Sequence, residues 1–331
     1  MDLNLLFIIV IIGIALIFDF TNGMHDAANS ISTIVSTRVL TPRQAVIWAA
    51  FFNFIAFLIF GTTVASTIGK GMVDINTITP MVMFAGILGA ICWNFITWYL
   101  GLPSSSSHAL IGGYAGAAIA NMGFGVIIAS GWYRVLAFIV LAPAIGLVMG
   151  LILRYITSWV IHKRSPVAVT KWSRILQLFS AAAYSLGHGG NDAQKTMGII
   201  AGVLFAGGLI QEFTIPLWVV LSAHAAIAIG TLTGGWRIVK TMGQKITKLR
   251  PIDGFCAEAA AATSIFLATH MGVPVSTTHV ITGAISGVGA MNRVSAVRWC
   301  VTLRIVWAWI LTIPLSGMIA ALLFLLMKVI S

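Results

Sequence analysis

Long apolar runs separated by short polar breaks dominate the chain, and none of them alternates with the period of two that barrel strands require. Runs of about 20 residues cross a hydrocarbon core of roughly 30 Å as helices, so helices are the predicted elements throughout. Residues 3–36 are apolar but interrupted by the polar cluster from Asn22 to Asn29, too polar at mid-length for one simple span, which predicts a broken helix. Residues 45–68 predict a second span, 81–100 and 103–122 a helical pair joined by a Ser-rich turn, and 133–161 a long span. The pattern then restarts, with 175–205 broken around Asn191 and Asp192, 215–232 as a span, 254–271 and 274–291 as a second pair, and 301–329 as the last span.

The restart repeats two polar motifs in order. Asn22-Gly23-Met24-His25-Asp26-Ala27-Ala28-Asn29 is echoed by His188-Gly189-Gly190-Asn191-Asp192-Ala193-Gln194-Lys195, and Gly101-Leu102-Pro103-Ser104-Ser105-Ser106-Ser107-His108 by Gly272-Val273-Pro274-Val275-Ser276-Thr277-Thr278-His279. Asp26 and Asp192 stand 166 residues apart, and His108 and His279 stand 171 apart, so the motifs occupy matching places in two halves of one length. Loop charges invert between the halves. Arg38 and Arg43 follow the first motif while only Glu212 follows its echo, and Lys70 with Asp74 correspond to Arg237, Lys240, Lys245, Lys248 and Arg250. By the positive-inside rule, corresponding loops then lie on opposite sides of the membrane. The predicted fold is an all-α polytopic membrane protein of two inverted-topology repeats, residues 1–160 and 175–331, with broken helices and re-entrant helical hairpins. A basic cytoplasmic linker, 161–174 with Lys163, Arg164, Lys171 and Arg174, joins the repeats, and both termini are expected outside. Residues 81–100 are also long enough to cross outright, so crossing and re-entry both stay open for that segment.

Composition agrees with this reading. A hydrophobic share of 59%, a charged share of 8% and a mean hydropathy of +1.01 exclude an ordinary soluble domain, which is about 25% charged. The net charge of +11 raises nucleic acid as a partner, but the basic residues fall in short loops where they orient spans, so no nucleic-acid role is expected. The expected partner is the lipid bilayer of the cell membrane, crossed several times, and a symmetric homo-oligomer fits an apolar outer face. The first run is expected to be a membrane helix rather than a cleaved leader, because Asp2 stands where a basic region would precede a leader. Cys92, Cys256 and Cys300 are far apart, which suggests neither disulfides nor a cysteine metal site.

Duplicated polar groups inside a membrane protein mark a transport path between two repeats. Asp26 and Asp192 are intramembrane carboxylates, each costing a few kcal/mol unless it finds a cation, proton or hydrogen-bond donor. Capping of half-helices is the alternative reading of these Asp and Asn residues. His25 and His188 flank the carboxylates and titrate near neutrality when unperturbed, which makes them proton-coupling candidates. Pro103 and Pro274 precede hydroxyl-rich helix starts. There, free N–H groups and the Ser105, Ser106, Ser107, Ser276, Thr277 and Thr278 hydroxyls can cradle an oxyanion, while Gly112/Gly116 and Gly283/Gly287 offer packing as the alternative reason for these helices. His108 and His279 fit either a proton relay or a role in steadying the hydroxyls. Glu258, alone in an Ala- and Thr-rich span, is expected to be functional, and Asp19 fits equally an ion ligand or an internally paired residue.

These motifs resemble those of the inorganic phosphate transporter (PiT) family of secondary symporters. Its Gly-Ala-Asn-Asp-Val-Ala-Asn signature is matched by Gly23 to Asn29 and Gly189 to Lys195, and its Gly-x-Pro-x-Ser-[Ser/Thr]-[Ser/Thr]-His element by Gly101 to His108 and Gly272 to His279. The resemblance implies phosphate held by Ser105 to Ser107 and Ser276 to Thr278, with the coupling cation by Asn22, Asp26, Asn29, Asn191 and Asp192. His25 and Lys195 depart from the sodium-coupled pattern, since each stands where that pattern has Asn. An ammonium beside Asp192 takes the place a sodium ion needs, and both changes resemble the proton-coupled bacterial branch, which carries phosphate, often as a neutral divalent metal complex. The expectation is a proton-coupled phosphate symporter without resident cofactor or protein-bound metal. Alternatives are a sodium-coupled phosphate symporter, a sulfate permease on the same scaffold, a passive channel, and a membrane metal hydrolase using His25, Asp26, His188 and Asp192. No HExxH-type pair or nucleophile elbow supports the last, so no enzyme is expected.

Overall fold

In a computed structural model, which describes residues 3–70 and 79–330, every regular element is a helix and no strand occurs among the described residues. The first half comprises α1 (Leu3–Ser36), α2 (Pro42–Ile55), α3 (Thr63–Lys70), α4 (Pro80–Leu100), α5 (Ser106–Met122) and α6 (Ala129–Ile161). The second comprises α7 (Pro166–Ala206), α8 (Leu217–Thr233), α9 (Trp236–Lys240), α10 (Pro251–His270), α11 (Thr277–Asn292) and α12 (Trp299–Ile330). Among the described residues α1, α4, α6, α10 and α12 are each long and apolar enough to cross a membrane, and α8 with the segment Trp236–Lys245, bent by 63°, makes a sixth span. Asp74, used in the loop-charge comparison, lies outside the described residues.

The breaks fall elsewhere than the polarity pattern predicts. Helices α1 and α7 run unbroken through their polar clusters. A polar side chain loosens a helix when it competes for its own backbone, whereas here most of these side chains reach sideways to other helices. The glycines serve close approach rather than interruption. A Cβ on Gly23 would strike the Ile227 carbonyl of α8, and one on Gly189 the Asn53 backbone of α2. The interruptions sit in the next element of each half. Helix α2 ends in a 3-10 turn at Ala56–Leu58 and the chain restarts as α3, whose first amides, Val64 and Ala65, donate to Gln194 Oε1 of α7 at 2.8 and 3.3 Å. Helix α8 gives way at Gly234, φ +66°, to α9 and a π-helical turn, Thr241–Lys245. The segment expected as a linker is mostly helix: only 162–165 are non-helical, and Ser165 caps α7 with Pro166 at its first position.

Contacts repeat six elements apart. Helix α1 packs on α8 as α7 packs on α2, α12 packs on α5 and α4 as α6 packs on α11 and α10, and α4–α5 pair as α10–α11 do. The last helix of each half therefore covers the hairpin of the other. Small residues make this possible: Gly112 and Gly116 meet the backbone of Ile313 and Gly317 on α12, and Gly283 and Gly287 meet the carbonyls of Pro143 and Leu147 on α6. One polar lock has no counterpart across the halves among the described residues. Buried Arg154 of α6 donates through Nε to Asp253 Oδ1 of α10 at 2.8 Å, and Asn292 of α11 donates to the same oxygen at 3.3 Å.

Candidate functional site

Both hairpin tips end at the polar clusters of α1 and α7, in the buried middle of the molecule. Ser105 and Ser276 take the N-cap positions of α5 and α11, accepting from the amides of His108 and His279 at 3.2 and 3.3 Å. The first intrahelical bonds run from Ala109 to Ser105 and from Val280 to Ser276. The amides of Ser106, Ser107, Thr277 and Thr278 thus precede the helical ladders, at the positive ends of two helix dipoles.

The next hydroxyls bind the duplicated carboxylates. Asp26 accepts from Ser106 at 3.2 Å and from Thr278 of the opposite hairpin at 3.5 Å, while Asn29 donates to Thr278 Oγ1 at 2.8 Å. Asp192 accepts from Thr277 at 3.3 Å and pairs with the Lys195 ammonium, which also donates to Ser107 Oγ at 2.5 Å and to the Val275 carbonyl at 3.1 Å. His25 Nδ1 lies 2.9 Å from Asp26 Oδ1, with its Nε2 between Thr97 Oγ1 at 3.1 Å and Ser104 Oγ at 3.3 Å. His188 Nε2 stands 3.3 Å from Asp192 Oδ2 and 3.9 Å from Asp26 Oδ2, joining the two halves, and its Nδ1 lies 3.2 Å from Asn53 Oδ1. All of these side chains are buried. An ion pair at this depth persists only where geometry and extra donors offset desolvation, and each carboxylate here has both.

The structure therefore brings together His25, Asp26, Asn29, Ser106, Ser107, His188, Asp192, Lys195, Thr277 and Thr278. It places the remaining candidates elsewhere. Ser105 and Ser276 spend their hydroxyls on capping. Asn191 turns to Thr269 Oγ1 and the Val273 carbonyl, at 2.9 and 3.4 Å. Glu258 sits in a separate closed cluster, accepting from Thr33 at 2.5 Å, Ser180 at 2.6 Å and Gln177 at 3.0 Å. The Asn22 carbonyl oxygen has no hydrogen-bond partner. His108 and His279 pack on each other with ring centroids 4.8 Å apart, and His279 stacks on Trp309 at 3.9 Å. Sequence reasoning missed Asn53, Thr97 and Ser104. Asn53 is a lone polar residue in an aromatic, apolar stretch and Thr97 shares such a stretch with Asn94, which is the signal that would have found them.

Chemically, the centre offers four amides, hydroxyls and one ammonium suited to an oxyanion, beside two carboxylates. Asp26, His188 and Asp192 present ligand atoms within 4.8 Å of one another, a spacing that suits a metal ion, although Lys195 already occupies one Asp192 oxygen.

A sequence model described as the phosphate transporter family matches residues 22–320. The chain belongs to that family. Among its relatives, a probable low-affinity inorganic phosphate transporter of Rhizobium meliloti (strain 1021) is 58% identical over 97% of this chain and 97% of its own length, and one of Bacillus subtilis (strain 168) is 44% identical over the whole of both. A solved structure described as "The sodium-dependent phosphate transporter" superposes with a TM-score of 0.89 at 25% identity, covering 98% of this chain and all of the other. This phosphate transporter family member is an integral protein of the cell membrane, and all the residues gathered at the centre fall within the matched region.

Proposed function

We propose that this chain is a secondary symporter that imports inorganic phosphate coupled to protons, by alternating access, and that it is not an enzyme. The observation carrying the reading is the convergence of both hairpin tips and Lys195 on the paired carboxylates. Phosphate would lie between the starts of α5 and α11, taking the amides and hydroxyls of Ser106, Ser107, Thr277 and Thr278 and the Lys195 charge. Displaced from these groups, Asp26 and Asp192 would accept hydrogen bonds from the P–OH groups of HPO4²⁻ or H2PO4⁻. Sulfate has no such proton at neutral pH and would face the carboxylates with acceptors only, an unpaired arrangement that specificity by buried polar groups punishes. A divalent metal carried with the phosphate would find Asp26, His188 and Asp192 beside it.

Protons are favoured over sodium because the protein supplies its own cation at Asp192, and because imidazoles rather than amide oxygens line Asp26. Loading neutralises buried charge, which lowers the barrier to moving the hairpins against α1 and α7. The test is labelled-phosphate uptake into proteoliposomes under a pH gradient or a sodium gradient imposed separately, with sulfate as competitor. Uptake driven by pH and indifferent to sulfate is expected. The second reading, sodium coupling, is favoured by the close superposition on a transporter described as sodium-dependent, and uptake that needs sodium would establish it instead.

A further inference from the structure

Asp19 is the one carboxylate of α1 or α7 that is paired with no cationic side chain among the described residues. It is fully buried, two helical turns before Asp26, and neither of its oxygens has a hydrogen-bond partner. The polar groups nearest to it are Thr196 of α7 and Asn22 of its own helix, with His188 and Asp192 as the charged groups beyond them. Both near neighbours are equally orphaned: Thr196 Oγ1 and Asn22 Oδ1 are buried and lack any partner. Helices α4 and α8, which also pack on α1, bring it no cation. Helix α4 contains no acidic or basic residue, and the one ionisable residue of α8, His224, holds the Val220 carbonyl of its own helix at 2.9 Å. Asp19 also lies three residues ahead of the matched family region, which begins at residue 22.

A buried carboxylate whose nearest polar groups are only a threonine hydroxyl and an asparagine amide, neither in good hydrogen-bond geometry, is a costly arrangement inside a bilayer. The neighbouring carboxylates contrast with it. Asp192 has Lys195 and His188, and Asp26 has His25, Ser106 and Thr278, so both are compensated by the protein itself. What Asp19 lacks is one positive charge.

We infer that Asp19, with Asn22 Oδ1 and Thr196 Oγ1, forms the seat of the coupling cation, a single positive charge delivered as a proton or a sodium ion to oxygens that otherwise have none. A proton would sit on Asp19 and be donated to Asn22 Oδ1; a sodium ion would be ligated by the three side chains together. Because Thr196 follows Lys195 on α7, occupation of this seat ties α1 to α7 one residue from the ammonium assigned to phosphate. That adjacency links cation loading to phosphate loading. The inference rests on the reading of the chain as a cation-coupled phosphate symporter.

The experiment compares the wild-type protein with Asp19→Asn in proteoliposomes, by gradient-driven phosphate accumulation and by phosphate–phosphate exchange with no gradient. Asparagine mimics the neutral, loaded carboxyl, so accumulation is expected to fall to background while exchange persists and loses its dependence on pH and sodium. Accumulation retained in Asp19→Asn would overturn the inference, and so would loss of both activities in folded protein. Thr196→Val is the second variant, and decides the matter if Asp19→Asn fails to fold. It is expected to raise the cation concentration for half-maximal accumulation about tenfold, the worth of one hydrogen bond to a charged group, with the phosphate dependence of exchange unmoved; an unchanged cation dependence would overturn the inference. The wild-type arms separate this from the coupling assignment. If sodium drives the wild type, the proton reading fails while the Asp19 seat stands or falls on its variants alone.

Discussion

The two copies of the carboxylate motif meet at one centre but are compensated differently. Asp192 carries a permanent cation three residues along its own helix, whereas Asp26 faces an imidazole from its own motif and hydroxyls from both hairpins. A lysine ammonium is a fixed charge near neutral pH, while an imidazole is a conditional one. The duplication thus preserved where a carboxylate stands and let the two copies diverge in what balances it. In one half the balancing group is a lysine ammonium, and in the other it is an imidazole with hydroxyls from both hairpins.

The largest effect that separates the copies is expected from alanine at each carboxylate. Asp192→Ala strands Lys195 as a buried unpaired ammonium and should cost about 3–5 kcal/mol, whereas Asp26→Ala takes away the partner of an imidazole and two hydroxyls and should cost about 1–3 kcal/mol. Denaturation of the purified proteins in detergent measures the gap; equal losses would erase the distinction. Next comes Lys195→Asn, which gives the second motif the asparagine of the first. Proton-driven phosphate uptake should drop more than about tenfold, and the remaining uptake should become sodium-dependent in the same vesicle assay. Smaller and equal effects are expected where the halves do the same job. Gly116→Val on α5 and Gly287→Val on α11 each push a side chain into the backbone of the covering helix and should cost about 1–3 kcal/mol, read as thermal shifts. Smallest are Ser105→Ala and Ser276→Ala, each removing a cap bond worth about 1 kcal/mol, with matching losses in the same thermal assay.

Much of this centre was legible because a duplicated sequence reports its own geometry. The spacing of Asp26 and Asp192 and of the two Pro-containing hydroxyl runs sufficed to put the four motifs together. The helix breaks were not legible, because a polarity pattern records where polar side chains occur and not whom they bind. His25 reaches Thr97 and Ser104, and Gln194 Oε1 reaches the start of α3 while its amide nitrogen donates to the Gly190 carbonyl one turn back, so the polar stretches left the helical ladders intact. The true breaks at 59–62 and 234–235 are short and apolar or glycine-based, with little contrast against their surroundings. Glu258 drew attention as a lone charge, but its partners Thr33, Gln177 and Ser180 come from two distant segments and close the group off. Ser105 and Ser276 belong to motifs that were placed correctly, yet their hydroxyls turn back to their own helices, a choice settled by backbone angles at the helix start.

The exchange of covering helices makes the two halves depend on each other. Because α12 seals the hairpin of the first half and α6 that of the second, a lone half would leave the glycine-lined face of its hairpin bare and its carboxylate without half of its hydroxyl neighbours. Each hairpin is thus closed by a helix that lies in the other half of the chain, so neither half completes its own buried face.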